Sequence, residues 1–97
     1  MTSKQRAYLR GLANSLDPIV HVGKGGVSDA MKKQADDALT ARELIKGRVL
    51  ETAPQTVKDV AAEIASAVGA DVVHVIGRTF VLYRRNEKEP TIVLPKA

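Results

Sequence analysis

The chain is expected to be an α/β protein, a single compact domain with a four-stranded mixed sheet packed by helices. Three observations predict this. Helical and strand-like periodicities alternate along the sequence, no linker, repeat or low-complexity stretch interrupts them, and 97 residues suit one domain. The expected order is α-β-α-β-α-β-β, within one domain covering residues 1–97.

Thr2 followed by Gln5 has capping-box spacing, and Leu9, Leu12, Ala13 and Leu16 recur on one helical stripe. A first helix over about residues 3–15 follows, closed by Asp17-Pro18, since proline disfavours helical backbone in the residue before it. Ile19-Val20-His21-Val22 is short, largely β-branched and bounded by Pro18 and Gly23, which reads as a strand. Ser28 can cap a second helix with Asp29 in its first turn and Val27, Met31, Ala35, Ala38 and Leu39 as its apolar stripe, ending near residue 40.

From Glu43 to Leu50, Ile45 and Val49 share one strand face while Lys46 and Arg48 share the other. Thr52-Ala53-Pro54 opens a third helix with proline at or near its first position. Val57, Val60, Ala61, Ile64 and Val68 face the core, and Gly69 is its C-terminal cap. Residues 71–76 and 79–84 form two strands, and glycine first in the Gly77-Arg78 loop suits a type II′ hairpin. The crossovers make the first three strands parallel, and the hairpin adds an antiparallel pair. The tail, residues 86–97, is either flexible or contributes a short edge strand at Ile92-Val93-Leu94.

Composition narrows the chemistry. Without cysteine there are no disulfides or thiolate metal sites, and two histidines are too few for a metal centre unless carboxylates join them. No apolar run approaches the roughly 18–20 residues that cross a membrane, and the charged N-terminal segment lacks a signal-peptide core, so the expected location is the cytoplasm. Fifteen basic against eleven acidic residues give a net charge of +4 and favour a polyanionic partner. Tyr8, Phe80 and Tyr83 are the only aromatics, too few to stack several bases, so a nucleic acid would be recognised mainly through its backbone.

Gly23-Lys24-Gly25-Gly26 joins the first strand to the second helix. A polyphosphate chain approaches main chain closely where side chains are missing. The helix start presents unpaired amides and a positive dipole end, and Lys24 adds a mobile cation. The same residues also make an ordinary strand-to-helix turn with an exposed lysine, and spacing alone does not separate the two readings. Neither a phosphate-binding P-loop nor a dinucleotide fingerprint can be drawn here.

Four segments carry a family resemblance: residues 4–13 (KQRAYLRGLA), 19–27 (IVHVGKGGV), Ala38-Leu39 with Glu43-Leu44-Ile45-Lys46, and 69–84 (GADVVHVIGRTFVLYR). Together the sequence resembles the CRM domain family, in particular its free-standing bacterial members of the YhbY type. The resemblance implies an RNA-binding domain with a GxxG loop like that of KH domains and a fold similar to the C-terminal domain of initiation factor three. It also implies RNA contact by Gly23, Lys24, Gly25 and Gly26. Bacterial members are associated with precursors of the large ribosomal subunit and plant relatives with group II intron splicing. Gly47 departs from the β-branched residue expected after Glu-Leu-Ile-Lys and suggests irregular strand geometry.

Among the other cations, Lys4, Arg6 and Arg10 lie on the first helix, with Arg6 and Arg10 one turn apart on one face. With Arg78 at the hairpin tip and Arg84 after the last strand, they extend the expected RNA-binding surface. Lys46 and Arg48 read as the wet side of the sheet rather than a groove. His21 reads as a packed strand residue that could otherwise donate to a phosphate, and His74 as structural.

The leading expectation is a monomeric, non-enzymatic RNA-binding protein that docks on large-subunit ribosomal RNA during assembly. It would use no cofactor, small-molecule substrate or membrane. The alternative is a protein-interaction module on ribosomal particles. An RNA-directed enzyme would need a positioned acid–base group near the loop, and His21 is the only candidate.

Overall fold

A computed structural model describes residues 1–96. Seven elements appear in the expected order: α1 (Ser3–Ala13), β1 (Val20–Val22), α2 (Asp29–Arg42), β2 (Leu44–Val49), α3 (Val57–Val68), β3 (Asp71–Ile76) and β4 (Thr79–Tyr83). The sheet order is β1-β2-β4-β3, with β1 parallel to β2 and β4 antiparallel to both β2 and β3. The hairpin's second strand therefore inserts between β2 and β3, which remain parallel to each other without pairing.

The ends of the elements follow from local chemistry. The capping box at α1 is complete: Thr2 Oγ1 accepts from the Gln5 amide, and Gln5 Oε1 accepts from the Thr2 amide. α1 stops at Ala13 with Asn14 as its cap, before Asp17-Pro18, and Leu12 lies exposed rather than on the buried stripe. Ser28 caps α2 by accepting from the Met31 amide. α3 begins later than the proline suggests: Thr56 is its cap and accepts from the Asp59 amide, while Pro54 lies in the preceding loop. Gly69 closes α3 in the left-handed conformation (φ 67°). Gly77 takes φ 56° at the hairpin, as the first position of a type II′ turn requires.

Two apolar cores follow from strand alternation. On one face, α2 and α3 bury Ala35, Leu39, Val60, Ala61 and Ile64 against Val20, Val22, Ile45, Val49, Phe80 and Leu82. On the other, Leu9 and Ala13 of α1 meet Leu44, Val73, Val81 and Tyr83, joined by Leu16 and by Ile92 and Leu94 of the tail. Phe80 stands directly opposite Gly47, and its ring occupies the space a side chain there would need, since a Cβ would lie 2.1 Å from Phe80 Cζ. The glycine leaves β2 regular. The irregularity falls instead in β3, where pairing skips Val73 between Val72 and His74.

The expected edge strand at Ile92-Val93-Leu94 does not form. The tail is tied down by a side chain. Glu43, 1% exposed, accepts from the amides of Asn86, Thr91 and Ile92 and from the Thr91 hydroxyl, at 2.7–2.8 Å. Burial pushes its carboxyl upward, but the donors from Asn86, Ile92 and Thr91 prevail and hold its pKa at about 2. Gln5 Nε2 adds a bond to the Pro95 carbonyl.

Candidate nucleic-acid interface

The Gly23–Gly26 loop is a β-turn closed by a 2.9 Å bond from the Gly26 amide to the Gly23 carbonyl, with Lys24 and Gly25 at its exposed tip. Its three glycines differ in their reasons. Gly26 has φ 71° and faces Pro54 and Gln55, which a Cβ would meet at 3.5 and 3.4 Å. At Gly23 φ is not positive, and a Cβ would meet Leu50 and Thr52 at 3.4 and 3.9 Å, ordinary van der Waals contact. Gly25 has neither a positive φ nor any atom of the chain within 4 Å of where a Cβ would stand. The fold accounts for Gly26, through its positive φ. Gly25 leaves space open only to the outside.

Electrostatics at the tip are modestly favourable. Lys24 is exposed and forms no ion pair among the described residues. At the start of α2, the Met31 amide is already bonded to Ser28 and Asp29 stands in the first turn, so part of the helix end's positive character is balanced within the chain. Lys32 and Lys33 are paired with Glu63 and Asp37.

The remaining predicted cations do not converge on the loop. β1 and β2 end beside it, and Arg78 sits at this same end, where its carbonyl accepts from the Val49 amide and its guanidinium pairs with Glu51 at 3.2 Å. Arg10 lies on α1 above the middle of the sheet. Lys4 and Arg6 belong to the N-terminal half of α1, toward the opposite end, where Gln5 meets the tail. Arg6 donates to the Val72 and Val73 carbonyls, so it does not act as a free twin of Arg10.

Arg84 is removed from the expected surface. Its guanidinium donates to Asp36 Oδ1 (2.6 Å), the Asp36 carbonyl, Thr40 Oγ1 and the Val68 carbonyl, fastening β4 to α2 and the end of α3. Arg84→Met is expected to lower unfolding stability by about 2 kcal/mol in urea titration, through loss of charge-assisted bonds, with nucleic-acid affinity unchanged. Arg85 also follows Tyr83 at that far end, so neither arginine shares the loop's neighbourhood.

His21 and Lys46 depart from expectation in the other direction, while Arg48 is exposed as expected. His21 is exposed, not packed, and pairs across β1 and β2 with exposed Arg48. The row continues to Thr79 and Ile76, giving a band across all four strands, exposed at His21 and Arg48 and reaching the flank of α1 at Thr79 and Ile76. Beside it, half-buried His74 and Lys46 line a groove of about 460 Å³ under α1, together with Arg10, Gly11 and Asn14. Strand parity already places Lys46 and Arg48 on one face; the β1–β2 register adds His21. The signal overlooked was that a single helix cannot cover a four-stranded sheet.

A mixed β1-β2-β4-β3 sheet with helices on both faces and a glycine turn after its first strand defines a small class of α/β domain. This chain belongs to the CRS1/YhbY (CRM) domain family, whose model matches residues 1–84. It is 44% identical over 95 residues to the Bacillus subtilis protein YqeI, named a probable RNA-binding protein, covering 98% of this chain and 99% of the relative. A Haemophilus influenzae protein named RNA-binding protein is 34% identical, covering 99% of this chain and 96% of its own. The solution structure of the Staphylococcus aureus protein SAV1595, offered as an RNA binder, superposes with a TM-score of 0.81 at 43% identity, over 98% of this chain and 99% of that one.

Proposed function

We propose that this chain binds RNA, without catalysing a reaction on it, by bringing a phosphodiester backbone against the Lys24-Gly25 tip. In this reading the tip amides and the Lys24 ammonium form the primary contact, Gly23 and Gly26 shape the turn, and Arg10 and Arg78 supply outlying positive charge. Lys4 is a more distant cation, and Arg6 and Arg84 serve the fold. The observation that carries the reading is Gly25, a glycine that neither backbone conformation nor neighbours demand. The names of its relatives point to the same ligand class. In this reading the target is large-subunit ribosomal RNA during assembly, bound by a monomer in the cytoplasm.

Gly25→Ala tests the reading most directly. RNA affinity is expected to fall roughly tenfold, about 1.4 kcal/mol, while the thermal unfolding midpoint stays within a degree or two of the parent. Lys24→Glu should weaken binding further and reduce its salt dependence. Unchanged affinity in both variants would refute the assignment of the loop. Ribonuclease treatment of cell extracts before sedimentation addresses the target: a protein-mediated association with ribosomal particles would persist after the exposed RNA is removed.

A further inference from the structure

The RNA reading accounts for the loop but not for the groove beneath α1. Arg10 and Lys46 line it with Asn14, His74 and Thr79, and none of its lining residues is acidic. Gly11 forms part of the α1 wall. It lies within an eleven-residue helix, has no positive φ, and a Cβ there would meet nothing within 4 Å. Glycine weakens a helix interior, and here no contact within the chain compensates. As at Gly25, the bare backbone faces outward, and again it borders cations.

The route between the two sites is open. His21 lies two residues before the loop, and the row His21, Arg48, Thr79, Ile76 crosses the sheet from β1 to β3, with His21 and Arg48 exposed and Thr79 and Ile76 lining the groove itself. At ~4.8 Å per strand this path is about 14 Å long. It runs beside Lys46, which pairs across the strands with Val81, which in turn pairs with His74 at the floor of the groove. Lys46 Nζ has one long contact, 3.4 Å to the Ala13 carbonyl, and keeps further donors available.

We propose that the groove under α1 is a second RNA subsite, in which a phosphodiester of the strand held at the loop lies against Gly11 between Arg10 and Lys46. The proposal rests on the RNA reading of the loop. The ligand is single-stranded, because a groove of about 460 Å³ between the flank of α1 and the sheet admits one chain, not a duplex. His21 and Arg48 guide the intervening nucleotides across the band.

The test compares RNA length with groove variants, using oligouridylates of four and ten nucleotides, since a GxxG loop clamps about four. Gly11→Leu crowds the outer α1 rim of the groove from an exposed helical position that favours leucine, and Lys46→Gln removes the charge while keeping a donor for Ala13. Both are expected to abolish the extra affinity of the decamer, roughly a tenfold loss, and to leave tetramer binding unchanged. Gly25→Ala should weaken both oligomers. Decamer affinity equal to the parent in Gly11→Leu and Lys46→Gln would overturn the subsite, and the loop reading would still stand if Gly25→Ala remained impaired. If Gly25→Ala also bound normally, both readings would fall together. Circular dichroism melting of each variant separates loss of fold from loss of contact; should one variant melt early, the other decides.

Discussion

Gly47→Ala is expected to destabilise the domain by about 3 kcal/mol, the upper part of the range for forced overpacking. In an ordinary strand the same change would be neutral or mildly favourable, because glycine loses more backbone entropy on folding than alanine. Here the added methyl would stand 2.1 Å from Phe80 Cζ and 2.6–2.7 Å from both Cε atoms. Phe80 is 1% exposed and packed among α3, β2 and β4, so the ring has no free direction in which to retreat. Set against a net stability of roughly 5–15 kcal/mol for a domain, the loss is large. A double-mutant cycle identifies the cause. Phe80→Leu alone should cost about 1–2 kcal/mol through lost burial, and combined with Gly47→Ala the total should fall well short of the sum. Urea midpoints for the four proteins give the answer, and strict additivity would show that the ring is not the obstacle.

The pairing of Gly47 with Phe80 shows why some features were legible in sequence and others were not. Helix and strand assignments rest on local periodicity, and α2, β2, β3 and β4 fell within a residue or two of expectation. Gly47 looked like an irregularity because its partner is 33 residues away on a strand whose neighbour cannot be read locally. In the sheet it keeps β2 straight, with an aromatic ring covering the bare backbone. Arg84 was assigned to a ligand for the same reason: Asp36 lies 48 positions earlier, and only the packing of β4 beside α2 joins them. The start of α3 shows a competition between local signals, which Thr56, capping the Asp59 amide, wins over Pro54. Parity places Lys46 and Arg48 on one strand face, but His21 joins them only through the β1–β2 register. Their exposure depends on how far α1 reaches across the sheet, which is a tertiary quantity. At the loop, sequence located the three glycines, but only the φ angles separate Gly26, which the turn explains, from Gly25, around which the space is empty.

Glu43→Gln is expected to cost about 3 kcal/mol at neutral pH and to release the tail. The position is demanding in two ways. Glu43 ends α2 with φ 65°, unusual for a residue other than glycine, asparagine or aspartate, and its carboxylate is buried among four donors. A glutamine amide would turn an NH₂ toward some of those donors, leaving N–H groups facing N–H groups inside the second core. The apparent edge-strand pattern of Ile92-Val93-Leu94 fails for the same reason: the amides of Thr91 and Ile92 are directed at this carboxylate instead of a neighbouring strand. The pH dependence follows from the depressed carboxyl. Its pKa moves from 4.5 to about 2 on folding, so its contribution is fully present above about pH 5 and is lost as pH falls through 4.5 toward 2. The shift corresponds to about 3 kcal/mol at most, at 1.36 kcal/mol per unit. Other carboxylates also titrate in this window, so the informative quantity is the stability difference between parent and Glu43→Gln. That difference should be constant from pH 5 to 8 and shrink steadily between pH 5 and 2. Proteolysis offers an independent reading, since cleavage within residues 86–96 should accelerate in the variant at pH 7 while the core resists. A pH-independent difference would mean that the carboxylate's charge is not what binds the tail.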